Sequence, residues 1–317
     1  MPIVPAAPDA IRRAAQALVR GNIVAFPTDT VYGLGANALD PRAVAKVFAA
    51  KERPRFNPLI VHVPNLAEAA EYALINEPGR RLAGAFWPGP LTLVLKKRST
   101  CGIADLVSAG LDTIALRVPA HKVAQELLAK AALPIAAPSA NRSGRISPTT
   151  AEHVEAELGD LPAMILDGGP CPLGIESTVV SIVGQDPALL RSGAIPRESI
   201  ERVLGVPLAA AKAAERGSSP GQLARHYAPN TPLRLDAISV APDEALLAFG
   251  GDVPAGAPRV TLNLSPSANL EEAAAKLFAA LRELDQARAS AIAVMPIPGG
   301  GLGEAINDRL RRGANRG

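Results

Sequence analysis

Along the first two-thirds of the chain, short runs of β-branched and aliphatic residues alternate with segments of helical period. That alternation restricts the fold more than any other feature, because it is the pattern of an α/β or α+β domain. The spacing predicts strands over 23–27, 59–63, 91–96, 113–118, 134–137, 164–167, 178–183 and 188–191. It predicts helices over 8–20, 41–50, 66–74, 78–85, 120–131 and 150–158, the last with Thr149 and Glu152 at capping-box spacing.

The text changes at residues 208–230, where AAAKAAERGSSPGQLARHYAPN is a helix-prone polar stretch that runs into Ser, Gly and Pro, as a linker does. Residues 1–207 thus form one domain and 231–317 a smaller α/β unit. In that unit strands are expected over 232–235, 245–249, 259–264 and 291–295. A long helix over 270–288 places Leu270, Ala274, Leu277, Leu281 and Leu284 on one face. The arrangement implies a small three-layer sheet domain.

Composition excludes several functions. No apolar run approaches the roughly 18–20 residues of a membrane helix. In MPIVPAAPDAIRR the charges follow the apolar part, so neither a secretory signal nor an anchor is expected. Cys101 and Cys171 cannot build a disulfide framework and have no zinc spacing, which makes a cytoplasmic location the default. A net charge of +3 is too small for a nucleic-acid-coating surface, and 3% aromatics supply few base-stacking platforms.

Three motifs fail on their context. Gly33, Gly35 and Ala38 fit G-x-G-x-x-A, but the next helix starts too late and no acid ends the strand LIVHV. Gly217, Ser219 and Gly221 fit a nucleophile elbow, yet Pro220 has no N–H for an oxyanion. Gly169 and Gly174 have P-loop spacing, but Ile175 and Glu176 stand where Lys and Ser/Thr are required.

Other segments pair cations or hydroxyls with strand ends. In KERPRFNPLIVHV, Pro54 and Pro58 oppose a helix, so Lys51, Arg53 and Arg55 are expected to point one way from an extended segment, as a polyphosphate footprint would. FPTDTVYGLG brings Thr28, Thr30 and Tyr32 to a glycine turn. In LDTIALRVP, Arg117 shares a face with Thr113 and Ala115 and needs an anion, either a ligand or a structural carboxylate. IAAPSANRSGRISPTT sets Ser139, Asn141, Ser143 and Ser147 before a capped helix, and Ser177, Thr178 and Arg191 fall at strand boundaries. His62, in mid-strand, reads on its own as a core histidine.

Taken in order, PTDTVYGLG, KERPRFNPLIVHV, WPGPLTLVL, GLDTIALRVPAH, IAAPSANRSGRISPT, GIESTVVSI and LLRSGAI closely resemble the YrdC-like catalytic domain of the threonylcarbamoyl-AMP synthases. PGQLARHYAP and the unit after it resemble the long, two-domain form of that family, although Gln222, Leu223 and Ala224 depart from many relatives. The resemblance implies a YrdC-like twisted mixed-sheet α/β catalytic domain with a smaller Rossmann-like three-layer C-terminal domain. It implies the reaction of L-threonine, bicarbonate and ATP to threonylcarbamoyl-AMP and pyrophosphate, with Mg2+ carried mainly by the ATP phosphates. It also implies downstream tRNA threonylcarbamoyl-transferase proteins as partners, while the pI near 9.0 leaves room for tRNA contact and the lack of a long apolar run speaks for no membrane.

By the same resemblance, threonine meets Thr30, His62, Arg117, the backbone at Ala137, and Ser177. ATP meets Lys51, Arg53 and Asn57 at its phosphates, with Thr113, Ser139, Asn141, Ser147 and Arg191 around the nucleotide. Lys51 and Arg53 are the catalytic cations, and Tyr227, with His226, comes from the linker as a lid. The chemistry suits such a site: a threonine carbamate is already an anionic nucleophile, so it needs positioning and charge neutralisation more than a general base. Two rivals stand beside this reading, a carbamoyl-adenylate former that uses carbamoyl phosphate and a noncatalytic RNA-binding module.

Overall fold

The computed structural model describes residues 3–54, 56–210 and 226–315. Arg55, the Gly217–Ser219–Gly221 motif, residues 222–224 and most of the expected linker lie outside the described residues.

The chain begins β1 (Ile3–Pro5), α1 (Pro8–Val19), β2 (Val24–Phe26), β3 (Gly33–Asn37), α2 (Pro41–Lys51), β4 (Ile60–His62), α3 (Leu66–Tyr72), β5 (Ala73–Leu74) and α4 (Glu77–Phe86). It continues β6 (Leu91–Lys97), α5 (Asp105–Ser108), β7 (Thr113–Arg117), α6 (Lys122–Ala131), β8 (Ile135–Ala136), α7 (Ala151–Leu158), β9 (Ile165–Asp167), β10 (Thr178–Ser181), β11 (Ala188–Arg191), α8 (Arg197–Leu204) and β12 (Ala209–Ala210). The second unit holds β13 (Leu233–Arg234), β14 (Ala245–Ala248), β15 (Thr261–Asn263), α9 (Leu270–Gln286), β16 (Ile292–Val294) and α10 (Leu302–Ala314).

β1 to β12 form one mixed sheet in the order β1-β9-β2-β3-β8-β4-β7-β6-β10-β11-β12, with β5 beside β6. The order brings segments far apart in sequence side by side: β8 pairs antiparallel with both β3 and β4, and β4 runs parallel to β7 with His62 opposite Arg117. The largest apolar cluster lies against this sheet and includes Leu34, Val61, Leu93, Leu116 and Val180. Side chains of this size contribute roughly 1.5–3 kcal/mol each when fully buried.

Three local expectations are corrected. The glycine segment expected as a turn is a strand, β3, antiparallel to β2. Its Gly35 packs where a Cβ would stand 2.7 Å from both Phe26 and Ile135, so the missing side chain serves packing rather than a turn. Helix α2 runs on through Lys51, so Lys51 leaves a helix end and not an extended segment. Glu52 turns left-handed (φ 52°) and stops it, and Arg53 N–H closes the end on Phe48 O at 3.0 Å. The cap of α7 is Thr150, which accepts from His153 N–H, because α7 begins one residue later than the capping-box reading requires.

In the second unit all pairings are parallel, in the order β13-β16-β14-β15. Alternate residues divide its two faces. Ala245, Leu247, Ile292 and Val294 join the cluster under α9 and α10, and Leu246, Ala248 and Ala293 cluster with Ala237 and Val240 from the loop that follows β13. The α9 cluster also takes in Val31, Ile146 and Ile175 of the first unit, so the two units share apolar packing next to the loops that carry the hydroxyls.

Candidate active site

Pairing of distant strands produces a cavity where the cations meet. The loop after β2 brings Thr28 and Thr30, β4 brings His62, β7 brings Arg117, and the segment after β8 brings Ala137 and Ser139. Glu176 and Ser177 enter ahead of β10, Arg191 ends β11, Arg53 follows α2, and His226 and Tyr227 complete the lining. The volume is about 50 Å³.

Arg117 is fixed on three sides. It donates to Asp29 Oδ1 at 2.6 Å, to Thr30 Oγ1 at 2.7 Å and to Gly89 O at 3.1 Å. Its anion within the chain is therefore a structural carboxylate, and Asp29 also accepts from Ala120 N–H at 3.1 Å. Thr28 Oγ1 donates to Val31 O at 2.6 Å and lies 2.9 Å from Thr30 Oγ1, which sets the turn that presents Thr30. His62 is pushed down to about 3 by burial and by Arg117, so it is neutral, and among the described residues its Nδ1 has no hydrogen-bond partner.

The other cations rest on carbonyls. Arg53 donates to Asn57 O at 3.2 Å and Pro58 O at 2.9 Å. Arg191 donates to Ser177 O from Nε at 3.1 Å and from Nη2 at 2.8 Å, and to Ser177 Oγ at 3.0 Å. Ser177 Oγ is in turn 2.8 Å from Thr92 Oγ1. Gly193 lets this loop close on β10, since a Cβ there would meet Glu176 O and the Ser177–Thr178 peptide at 2.4–2.5 Å. Burial and the neighbouring Arg191 push Arg53 down to about 10, and burial also lowers Arg191, yet both remain cationic at neutral pH.

Not every expected residue reaches the cavity. Lys51 stands behind it, 1% exposed, with Nζ donating to Ser139 O at 2.6 Å and to Asn141 O. Burial, then Arg53, lowers its pKa well below the ordinary lysine range. Lys51 thus ties α2 to the loop that presents Ser139. Asn141 bridges Arg142 O and Arg145 O within that loop, and Ser147 Oγ donates to Glu176 Oε1 at 2.5 Å. Asn57 is buried, its Nδ2 has no hydrogen-bond partner among the described residues, and its carbonyl holds Arg53. Thr113 lies at the opposite end of β7 from Arg117, opposite Lys96, about 13 Å away at strand rise.

His226 and Tyr227, from the end of the expected linker, complete the cavity wall. Tyr227 adopts a left-handed backbone (φ 63°), stacks on Phe278 with ring centroids 5.7 Å apart, and has Arg309 and Arg312 each 5.0 Å from its ring. His226 packs edge-on against it at 3.9 Å.

Reading the sequence missed Asp29, Glu176 and Arg309. Asp29 had a signal, a lone acid between two threonines beside apolar strands. Glu176 was seen only as the wrong residue for a P-loop. Arg309 sits in a charged run, DRLRR, but at helical spacing from Ala305 and Ile306, which puts it on the apolar face of α10.

Comparison with known proteins bears on both units. Residues 16–193 match the Sua5–YciO–YrdC family, described as telomere recombination, and residues 195–315 match the family described as threonylcarbamoyl-AMP synthase, C-terminal domain. The chain is 40% identical to the threonylcarbamoyl-AMP synthase of Pyrococcus abyssi, over 95% of this chain and 93% of the relative. It is also 40% identical to the threonylcarbamoyl-AMP synthase of Bacillus subtilis, over 96% of this chain and 92% of the relative. The crystal structure of P. abyssi Sua5 complexed with L-threonine superposes with a TM-score of 0.88 at 37% identity, covering 97% of this chain and 95% of that one.

Proposed function

This chain belongs to the threonylcarbamoyl-AMP synthase family, and from that premise we infer that its cavity joins L-threonine, bicarbonate and ATP into threonylcarbamoyl-AMP and pyrophosphate. It is an ATP-dependent adenylyl transferase. The observation that carries the reading is the convergence of Arg53, Arg117 and Arg191 from distant segments on one cavity that also holds His62, Thr30 and Ser177.

On this reading Arg117, oriented by Asp29 and Thr30, grips the threonine carboxylate. Neutral His62 offers its free Nδ1 to a polar group of threonine, since a buried polar atom without a partner is costly unless a ligand supplies one. Bicarbonate gives up hydroxide to become CO2, the threonine amine adds to that carbon and passes a proton to the hydroxide, and a carbamate forms as water leaves. A carbamate oxygen attacks the α-phosphorus of ATP as the bond to the bridging oxygen breaks, and pyrophosphate departs with the electron pair. Arg53 and Arg191 face the growing charge on the phosphates, which is how such a site accelerates transfer without a covalent intermediate.

Among the described residues no three His, Cys, Asp or Glu side chains group as a metal cage. Glu176 lines the cavity but is engaged by Ser147 and Arg309. Mg2+ is therefore proposed to take its ligands from the triphosphate and water, where it supplies charge neutralisation. A cavity of about 50 Å³ is far below the roughly 300 Å³ at which ligand pockets begin. Nucleotide entry then requires His226 and Tyr227 to move, as a lid does.

Among the described residues no helix is long and apolar enough to cross a membrane. A cytoplasmic setting, delivery of the adduct to tRNA-modifying transferases and contact with tRNA complete the proposal. Mass spectrometry of the purified protein with ATP, threonine, bicarbonate and Mg2+ tests it: threonylcarbamoyl-AMP is the expected product. Pyrophosphate release that ignores threonine would refute the substrate, and salt-dependent RNA binding without ATP turnover would refute the enzyme.

A further inference from the structure

One side chain of the second unit reaches the cavity wall. Arg309, on α10, is 1% exposed. Its Nε donates to Glu176 Oε2 at 2.9 Å, its Nη1 donates to Asp308 Oδ2 at 2.7 Å, and among the described residues its Nη2 has no hydrogen-bond partner. The other oxygen of Glu176 accepts from Ser147 Oγ at 2.5 Å, so the carboxylate is held from both domains.

Glu176 is a liability in a cavity that takes a polyphosphate, because an unscreened carboxylate there repels the ligand. Burial pushes its carboxyl up, but Arg309, Arg191 and the Ser147 hydroxyl outweigh burial and hold it below the usual range, so it stays ionised. Arg191 also faces the cavity and would have to serve both Glu176 and a phosphate. Arg309 is the cation in direct contact with Glu176, at 2.9 Å.

Stability alone does not account for the pair. A buried ion pair is often no more stabilising than apolar residues of the same volume, and Arg309 occupies an apolar face that a Met would fill. What sets this pair apart from a packing contact is its place: Glu176 lines the cavity and Arg309 contacts it directly.

We propose that Arg309 is a positioning residue for adenylyl transfer: it screens Glu176 and keeps it turned to Ser147, so the C-terminal domain sets the affinity of the catalytic domain for ATP. The proposal rests on the reading that the cavity takes ATP.

The test uses the full chain as wild type, Arg309→Met, Glu176→Gln and the double variant, with KM for ATP and for threonine taken from pyrophosphate release. Arg309→Met should raise the KM for ATP about tenfold or more, as loss of one partner of a buried charge pair does, with the KM for threonine within about twofold. Adding Glu176→Gln should restore the KM for ATP to within about threefold of wild type, since the repelling charge is gone. A double variant as weak as Arg309→Met, or a parallel rise for threonine, would reduce Arg309 to a packing role and overturn the proposal.

If Arg309→Met does not fold, Glu176→Gln alone decides: tighter ATP binding supports screening, and weaker binding overturns it. A wild type that releases no pyrophosphate sinks the assigned reaction instead, and calorimetric ATP affinities of the same proteins still decide the role of Arg309.

Discussion

Arg117 meets a carboxylate, Asp29, at 2.6 Å, whereas Arg53 and Arg191 donate to backbone carbonyls and, among the described residues, enter no ion pair. The two arrangements leave different charges in one cavity. An arginine paired with a buried carboxylate is close to neutral as a unit, so it works as a shaped donor that reads geometry. An arginine satisfied by carbonyl dipoles keeps its full charge for a polyanion. The Arg117 side is thus suited to recognising an amino acid, and the Arg53–Arg191 side to holding phosphates. Burial without a counter-ion is expensive, and the carbonyls of Asn57, Pro58 and Ser177 offset part of that cost.

The sharpest way to break this comparison is Arg191→Met. It should lower kcat/KM for ATP by about a hundredfold or more with little change in threonine affinity, read by pyrophosphate release. Equal losses for both substrates would dissolve the distinction. Next in size is Asp29→Asn, which removes the charge but keeps an acceptor for Arg117. The KM for threonine should rise about tenfold while the KM for ATP holds, and the reverse pattern would place the phosphates at Arg117.

The smallest effect concerns His62 and acid. Its folded value of about 3 lies below the ordinary 6.5, so the folded state takes up fewer protons than the unfolded chain between those values. Stability is therefore full above pH 6.5 and falls as pH drops toward 3. His153, pushed down to about 4 by burial, and His226, held well below the ordinary histidine range by burial and Arg312, act in the same direction. Urea denaturation of His62→Asn should show a shallower loss between about pH 6 and pH 4, by up to ~1.4 kcal/mol per pH unit. An unchanged slope would mean that His62 is solvated, and its neutral role on the Arg117 side would fail.

Much of this was legible from residue order. Elements such as α1, α4, β6, β7 and α9 follow from apolar period and turn residues, which act locally. β3 was not legible, because its glycines mimic a turn until Phe26 and Ile135 pack against them. Nor was the end of α2, which runs through Lys51 and stops only at left-handed Glu52, so that Lys51 sits on a helix end and not in an extended segment. Arg309 was hidden for a similar reason: the run DRLRR reads as solvated, although its helical period puts Arg309 on the apolar face, until a partner carboxylate arrives from 133 residues away.

The sequence by itself determined the class of fold, the two units and the family, because periodicity and ordered motifs are properties of the chain's own order. Which cations share the cavity, which of them keep a free charge, and which acid needs screening were decided only in the tertiary structure. Those questions turn on distances of about 3 Å between residues that only the pairing of remote strands and the packing of α10 bring together.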